Sequence, residues 1–400
     1  MRPGEIWRLL ARERPRLNRR RRILRHCHSV GDLREAARRR VPDAIFDYAE
    51  GGAEAELTVS RNAAAFAACR FHPRVLRDVS NCDRSTTVFD VRFPLPLLLA
   101  PTGYSRMLNS DGEVAVGRAA KRAGLPYVLS TVGSTSIEDL ATVDHPHLWF
   151  QLYLWRDREL ALDLVRRADR AGYEVLEFSV DVPVSGFRVR DVRNGLTIPP
   201  ALRLRTVADI SAHPSYWLAT LRAPAIEFAN APKRVGTSMT IENMSTQFDP
   251  SLDWSALREI RERWSKPLVL KGPISPADAR TAVELGVDGI HLSNHGGRQL
   301  DRTAPTLDSL AAVRAAIGPE KLLILDSGIR SGADLAIAVA LGADVGGIGR
   351  AYLYGLMAAG EEGVQRALDL LAAEFGRTLQ LLGVASVDEL KARGPELVSG

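Results

Sequence analysis

The chain has 400 residues, of which 46% are hydrophobic and 25% charged, and its formal net charge is +5. The length fits two ordinary domains or one large α/β barrel, and no apolar run approaches the roughly 20 residues that span a bilayer. No apolar segment near Met1 resembles a signal peptide, so we expect a cytoplasmic protein, and three widely spaced cysteines indicate reduced thiols and no metal-ligand pattern.

Arginine is concentrated at the amino terminus, where residues 1–28 are predicted to form a basic arm. Few apolar residues interrupt the arm, so a solvated extension and a short amphipathic helix on an anionic membrane surface both remain open. Nucleic acid is disfavoured, because basic residues interleaved with aromatic ones do not continue through the chain. An arginine-rich protein that binds an anionic surface without turnover remains an alternative to an enzyme.

From Ser29 onward the pattern is that of a folded domain, which we place at residues 29–390 and follow with a tail, 391–400. Ser29 precedes one helical pattern, and Pro42 begins another that includes Tyr48. Beyond a β-like segment through Phe89, apolar runs alternate with amphipathic stretches. The eight predicted strands are 95–100, 127–130, 148–152, 175–180, 268–270, 289–293, 322–325 and 345–348. Helical connections such as 112–123, 158–171, 276–285 and 332–341 join them, which predicts an α/β fold of the (β/α)8 or TIM-barrel type.

Polar and glycine residues follow the predicted strands instead of preceding them. The active site of such a barrel lies at the carboxyl ends of its strands, so these residues are predicted to share one site. They are Pro101, Thr102, Gly103, Ser130, Gln151, Tyr153, Ser179, Asp181, Lys271, Ser293, Asp326, Ser327, Gly328, Gly349 and Arg350. The small residues and cations after the seventh and eighth strands suit a phosphate group.

The connection between the fourth and fifth strands, residues 182–248, is too long for a simple helix. It contains an arginine-rich run that includes Arg188, and a basic pair, Lys233 and Arg234. A long insertion at the catalytic face is commonly a mobile lid or a docking surface, and both readings remain open.

The stretch from Gly289 to Asp301, GIHLSNHGGRQLD, joins a short strand to a turn of small residues. His295 can take a proton near neutral pH, and Arg298 can hold a carboxylate by a two-pronged contact. Alternatively, His295 caps the loop, Arg298 is solvated, and neither has a catalytic role. The occurrence of both residues in one turn favours proton abstraction from an anionic substrate. Oxidation of that substrate needs a cofactor, and the chain has no G-x-G-x-x-G turn in a context that suits a nicotinamide dinucleotide.

The run Ser293–Asp301, together with Asp47–Tyr48 and the Glu50–Gly52 segment after it, resembles the active-site signatures of the FMN-dependent 2-hydroxy-acid oxidoreductases. The resemblance extends from about Ser29 to Leu390. It implies bound FMN, a small 2-hydroxy acid as substrate and a homo-tetramer. In membrane-associated members the insertion contacts the bilayer, so peripheral attachment to the inner face of the cell membrane is also implied.

The resemblance further implies roles for individual residues. His295 would be the base and Asp181 the carboxylate that orients it. Arg298, Tyr48 and Arg188 would bind the substrate carboxylate, and Tyr153 its hydroxyl oxygen. Around FMN the implied residues are Lys271 near N1, Ser130, Gln151 and Ser179 at the pyrimidine edge, Pro101, Thr102 and Gly103 near N5, and Ser293, Asp326, Ser327, Gly328, Arg330, Gly349 and Arg350 in the remaining contacts, including the phosphate.

Two departures from the glycolate oxidase pattern bear on the substrate and the oxidant. Val132 stands where glycolate oxidase has a tryptophan, which leaves room for a methyl group and favours L-lactate, oxidised to pyruvate. Gly103 stands where the oxidases have alanine, and neighbouring segments resemble the bacterial respiratory L-lactate dehydrogenases. We therefore predict electron transfer to a quinone or another carrier, with an oxidase that produces hydrogen peroxide as the alternative.

Overall fold

The computed structural model of the chain describes residues 19–195, 212–230 and 247–400. Eight parallel strands close into a barrel in the order β10-β11-β4-β5-β6-β7-β8-β9, and helices surround it. The strands are β1 (Arg70–Phe71), β2 (Thr86–Val88), β3 (Val91–Phe93), β4 (Leu97–Leu99), β5 (Tyr127–Ser130), β6 (Leu148–Leu152), β7 (Val175–Ser179), β8 (Leu268–Gly272), β9 (Gly289–Leu292), β10 (Leu322–Leu325), β11 (Val345–Ile348) and β12 (Val398–Ser399). The predicted TIM barrel is confirmed, and each predicted strand overlaps a barrel strand.

The helices fill the connections between the strands and the two ends of the chain. They are α1 (Arg19–Arg25), α2 (Val30–Arg38), α3 (Asp43–Glu50), α4 (Leu57–Ala68), α5 (Ser105–Leu108), α6 (Gly112–Ala123), α7 (Ile137–Ala141), α8 (Arg158–Arg170), α9 (Val189–Asn194), α10 (Pro214–Arg222), α11 (Trp254–Arg263), α12 (Pro276–Glu284), α13 (Thr306–Ile317), α14 (Gly332–Ala340), α15 (Arg350–Ala359), α16 (Glu361–Leu382) and α17 (Val387–Leu397). Ser29 forms a capping box with Asp32 at the start of α2, and Ser331 forms one with Asp334 at the start of α14. These caps satisfy backbone N–H groups that the first helical turn leaves without partners.

Part of the barrel interior is a separate apolar cluster, which the β2–β3 hairpin closes at the amino-terminal end. Val88 and Phe93 of the hairpin belong to this cluster, and the ring of Phe89 lies 6.2 Å from that of Trp149 at the start of β6. A larger cluster fills the space between the strands and the surrounding helices. Since apolar side chains plug one end, the polar residues are left at the carboxyl ends of the strands.

The two ends of the described chain are packed against the barrel. Residues 391–400, predicted as a tail, form the second half of α17 and then β12, which pairs antiparallel with β1. Gly394 lies so close to the carbonyl oxygen of Ala340 that a Cβ would sit 1.7 Å from it. At the other end Arg21, in the predicted arm, forms an ion pair with Glu362 at 3.1 Å.

The remaining predictions about the arm and the insertion fall on residues 1–18, 196–211 and 231–246, which lie outside the described residues. The described part of the insertion contains α9 and α10. Within the described chain, no helix combines the length and the apolar character that crossing a membrane requires.

Candidate active site

One cavity opens at the carboxyl ends of the barrel strands. It gathers most of the predicted site residues although they come from all parts of the chain. These are Tyr48, Pro101, Thr102, Gly103, Ser130, Tyr153, Arg188, Lys271, His295, Arg298, Asp326, Ser327, Arg330, Gly349 and Arg350. The prediction that residues after different strands meet in one place is therefore correct in its geometry.

Five predicted residues lie outside the cavity lining. Asp181 and Ser293 form hydrogen bonds with His295. Gln151 and Ser179 are buried in the barrel. Gly328 faces away from the cavity, since a Cβ there would lie 2.2 Å from the ring of Phe66. Glycine is therefore required at that position for packing against α4.

His295 lies in a tight turn that the surrounding residues hold in place. Its φ is +58°, a left-handed conformation that is rare for a residue with a side chain, and Gly296 and Gly297 continue in the same region at 62° and 73°. The Asn294 side chain accepts from the N–H of Gly297 at 3.1 Å, and the Ser293 hydroxyl accepts from the N–H of His295 at 3.0 Å. Backbone strain of this kind persists when neighbouring contacts determine it, and it is common at functional sites.

His295 and Asp181 form a close pair at the wall of the cavity. Nδ1 of His295 lies 2.9 Å from Oδ2 of Asp181, whose side chain is only 2% exposed. Burial by itself would raise the pKa of Asp181, but the charge and hydrogen bond of His295, together with the charge of Lys271, hold that pKa below its ordinary value. The ionised carboxylate therefore fixes Nδ1 as the hydrogen-bond donor and leaves Nε2 as the free acceptor.

Arg298 combines an anchored half with a free half. Its Nη1 donates to the carbonyl oxygens of Tyr48 at 2.6 Å and Gly51 at 2.8 Å, whereas Nη2 and Nε form no hydrogen bond within the described chain. Burial and the nearby charge of Arg188 lower the pKa of Arg298. Arg188 is held by Asp191 at 3.0 Å. Two guanidinium groups at one wall of a cavity favour binding of an anion there.

Tyrosine hydroxyl groups stand beside these cations. The guanidinium groups of Arg298 and Arg188 lie 5.1 and 5.7 Å from the ring centre of Tyr48. Burial raises the pKa of Tyr153 well above its ordinary value, and the same is true of Tyr104. These phenols remain protonated at neutral pH and can donate hydrogen bonds to a substrate.

Lys271 and Asp326 form the floor of the cavity. Nζ of Lys271 donates to the Ser293 hydroxyl at 3.2 Å and lies 3.8 Å from Oδ2 of Asp326. Burial lowers the pKa of Lys271, but Asp326 and Asp181 outweigh burial and raise it, so the ammonium group stays charged. A fixed positive charge is therefore present beneath the space where a cofactor ring would lie.

At the opposite end of the cavity two arginines have different tasks. Arg350 donates from all three of its nitrogens to carbonyl oxygens of Ala49, Gly51 and Gly296, at 2.8 to 3.0 Å, and so ties α3 to the His295 turn. Within the described chain, the guanidinium of Arg330 donates only from Nη1, to the carbonyl of Ile329. Burial and the charges of Arg330 and Arg298 lower the pKa of Arg350 to about 10. Neither guanidinium forms an ion pair with a described carboxylate, which predicts a phosphate here, with Arg330 better placed than Arg350 to donate.

The donors that line the cavity or lie buried beside it fit FMN. Nε2 of Gln151 and the hydroxyl of Ser179 are buried and have no hydrogen-bond partner in the described chain, as expected of groups whose partner is a cofactor ring. Lys271 and Arg330 both supply cations to the same cavity. The residues present therefore match a ring with polar edges that is linked to a phosphate.

Sequence reasoning missed three buried acidic or basic residues near this site. Glu113 accepts hydrogen bonds from Ser105, Ser134 and Thr135, and so joins the loops that follow β4 and β5. Glu177 and His291 form a pair inside the barrel. A charged residue in the middle of an apolar strand, as in Val-Leu-Glu-Phe-Ser and Gly-Ile-His-Leu, is the signal that could have found the second pair.

The fold and the site define a class: barrel enzymes that hold a phosphorylated cofactor at the carboxyl ends of the strands and act on an anionic substrate. The FMN-dependent dehydrogenase family matches residues 37–396, and the chain belongs to that family. It is therefore an FMN-dependent enzyme, which argues against the alternative of a binding protein without turnover.

Individual relatives agree with this assignment. A Mycobacterium tuberculosis protein named provisionally as an L-lactate dehydrogenase is 47% identical over 96% of this chain and 93% of its own length. The L-lactate dehydrogenase of Caulobacter vibrioides is 41% identical over 90% of this chain and 95% of its own length. Among solved structures, the monotopic membrane protein (S)-mandelate dehydrogenase superposes with a TM-score of 0.88 at 39% identity, covering 94% of this chain and 99% of that one.

Proposed function

We propose that the protein is an FMN-dependent L-lactate dehydrogenase that oxidises L-lactate to pyruvate. The observation that carries the proposal is that one cavity is lined by both His295, paired with Asp181, and Arg298. Only Nη1 of the Arg298 guanidinium is hydrogen-bonded within the described chain. A base and a carboxylate-binding cation are the two side-chain functions that oxidation of a 2-hydroxy acid requires. Relatives named as L-lactate dehydrogenases support the choice of substrate.

His295 is the base of the proposed reaction. Because Asp181 occupies Nδ1, the lone pair on Nε2 is available to take a proton from the substrate. Asp181 then faces the resulting imidazolium and stabilises its charge. FMN, when bound, supplies the two-electron acceptor that no side chain provides.

Arg298 and its neighbours orient the substrate. The free Nη2 and Nε of Arg298 match the two oxygens of a carboxylate, and Arg188 adds a second cation on the same side. The hydroxyl groups of Tyr48 and Tyr153 complete the set, the first toward the carboxylate and the second toward the substrate hydroxyl. Val132 borders the remaining space, where a methyl group fits more easily than it would beside a larger residue.

FMN would be held by residues that line the cavity or border it. Lys271, Gln151, Ser179 and Ser130 would lie next to the pyrimidine edge of the ring, and Arg330 would bind the phosphate. The loop of Pro101, Thr102 and Gly103, which follows β4, would contact the ring near N5. The other predicted contacts, Ser293, Asp326, Ser327, Gly328, Gly349 and Arg350, support these groups.

Anaerobic reduction of the bound flavin by L- and D-2-hydroxy acids tests the proposal. L-Lactate should bleach the flavin absorbance rapidly and D-lactate should not, whereas His295→Gln should retain FMN and react at least about 100-fold more slowly. Glycolate and L-mandelate are the comparison substrates for smaller and larger side chains. The proposal fails if L-lactate leaves the flavin oxidised, or if either comparison substrate is preferred by tenfold or more.

For the oxidant we propose a quinone or another carrier. Air-exposed protein with L-lactate should reduce a soluble quinone much faster than it produces hydrogen peroxide. Peroxide production at the rate of quinone reduction would instead identify an oxidase. Gly103, at the edge of the cavity, is the residue on which this expectation rests.

We further propose peripheral attachment to an anionic membrane surface on the cytoplasmic side, and a homo-tetramer. A truncation that begins at Arg19 is the suitable variant, because α1 is packed through the Arg21–Glu362 ion pair. It should keep full turnover and lose binding to vesicles that contain phosphatidylglycerol. Light scattering of the full chain tests the tetramer, and a monomer would rule it out.

A further inference from the structure

Three titratable side chains lie in a row inside the barrel, beneath the cavity floor. Nδ1 of His291, on β9, lies 3.0 Å from Oε1 of Glu177 on β7. Nε2 of the same ring lies 3.1 Å from Oδ2 of Asp326, just beyond β10, although the angle is not that of a directed hydrogen bond. The side chains of Glu177 and His291 are completely buried. One fully buried imidazole therefore stands between two carboxylates, one buried with it and one at the cavity floor.

This arrangement determines the charge state of His291. A neutral imidazole has one N–H and could serve only one of the two carboxylates, whereas an imidazolium presents an N–H to each. Two buried carboxylates without a cation between them would be strongly destabilising. Burial by itself lowers the pKa of His291, but the charges of Glu177 and Asp326 raise it to about 8.

The row continues to the cavity through Asp326. Oδ2 of Asp326, which faces His291, is also 3.8 Å from Nζ of Lys271, and Lys271 and Asp326 both line the cavity. Strand β11 contributes Gly347, where a Cβ would lie 3.2 Å from Nε2 of His291, so no side chain intervenes. His291 thus shares one carboxylate with the lysine beneath the ring site.

Other elements around the imidazole bring further polar groups. Strand β6 contributes Gln151, which is neutral, and the loop after β7 contributes Asp181, whose carboxylate is paired with His295. Strand β8 contributes Lys271, a cation that is the register partner of His291 on β9. Among the described residues, Glu177 and Asp326 are the acidic groups in contact with His291.

We infer that His291, as a buried imidazolium between Glu177 and Asp326, is a positioning residue that keeps the charge of Asp326 partly neutralised and so leaves Lys271 positive toward bound FMN. The inference deepens the proposed function and rests on it for the identity of the cofactor. Reduction of a flavin adds negative charge to the ring, so positive potential beneath it favours the reduced form. Loss of the imidazolium should make the midpoint potential of FMN more negative.

The experiment compares the FMN-loaded wild type with His291→Gln and Glu177→Gln. His291→Gln removes the charge with little change in size, and we expect it to weaken binding of reduced relative to oxidised FMN by about tenfold. In the wild type, titration of His291 should cause a break near pH 8 in the plot of FMN midpoint potential against pH. Glu177→Gln keeps the imidazole but removes a carboxylate that raises its pKa, so the break should move to lower pH. The matched control is His145→Gln, since His145 is also buried but bonds a backbone carbonyl, and burial lowers its pKa to about 4.

A second measurement is made on the wild-type protein and uses His291→Gln only to assign one signal. Nitrogen NMR of the histidine rings, with the His291 signal assigned by its absence in His291→Gln, should give an imidazolium at pH 6.5 that titrates near pH 8, both with and without FMN. A ring that is neutral at pH 6.5, or a potential that is the same in His291→Gln as in wild type, overturns the inference. A protein that holds FMN but does not oxidise L-lactate would refute the proposed function and leave this inference standing.

Discussion

Gly103 and Val132 lie in two loops that border the cavity, and the lack of space for a side chain at residue 103 predicts the effect of Gly103→Ala. A Cβ on residue 103 would lie 2.7 Å from Cγ2 of Val132 and 3.2 Å from its carbonyl oxygen. The loops cannot easily separate, because the N–H of Tyr104 donates to that same carbonyl at 3.2 Å. Overpacking of this kind costs about 1–3 kcal/mol of unfolding free energy.

Val132→Ala removes the closer of the two contacts and leaves the one with the carbonyl oxygen. The double variant should therefore be about 1–2 kcal/mol more stable than the sum of the two single effects predicts. A coupling energy of this size is typical of residues in contact. Urea unfolding of the FMN-loaded protein, at fixed FMN concentration because the ligand shifts stability, measures all four corners of the cycle. Gly31→Ala is the control, since its Cβ would meet only the Ser29 hydroxyl at 3.4 Å. A Gly103→Ala protein as stable as wild type, or strictly additive effects, would refute this reasoning.

Four further predictions follow from single side chains. His295→Gln should lower turnover of L-lactate by about 100- to 10,000-fold with FMN still bound, because only the base is lost. Arg298→Lys should raise KM about tenfold or more in steady-state assays, because an ammonium cannot both hold the carbonyls and grip a carboxylate at two points. Glu113→Gln should cost about 2–3 kcal/mol in urea unfolding, because its amide N–H would face donors. Protonation of His291 should add about 2 kcal/mol to the free energy of unfolding, because the pKa of His291 is higher in the folded protein than its ordinary value. This contribution should be complete below pH 6.5 and lost as the pH rises through about 8.

Each of these has an outcome that contradicts it. Loss of FMN from the His295→Gln protein would indicate a structural role, and an unchanged KM in Arg298→Lys would remove the carboxylate from that wall. Glu113→Asp is the matched control for charge, and a Gln variant more stable than the Asp variant would contradict the hydrogen-bond argument. For His291, the difference in unfolding free energy between wild type and His291→Gln should become smaller as the pH rises above 8. A difference that stays constant from pH 6 to 9 would refute the linkage.

The sequence by itself determined the barrel and the main chemical groups of the site. Apolar runs of three to six residues with glycine or polar residues after them define strands, because in a parallel barrel both faces are buried. Since the carboxyl ends of all eight strands meet at one face, residues as distant as Thr102 and Asp326 could be assigned to one site before any contact was known, whereas Tyr48 was assigned through the resemblance to the family. The turn of His295 could be predicted because only small residues tolerate its left-handed backbone next to the histidine.

Only the tertiary structure decided which of these groups are free to act and which are already engaged. Arg350 and Arg330 look equivalent in sequence, yet three backbone carbonyls engage Arg350 and one engages Arg330. Likewise, the partners Glu177 and His291 are 114 positions apart and meet because the register of β7, β8 and β9 sets them at neighbouring heights inside the barrel. Local pattern fixes which way a side chain points along its own strand, but the partner of a buried charge depends on strand order and register, which are properties of the closed barrel as a whole.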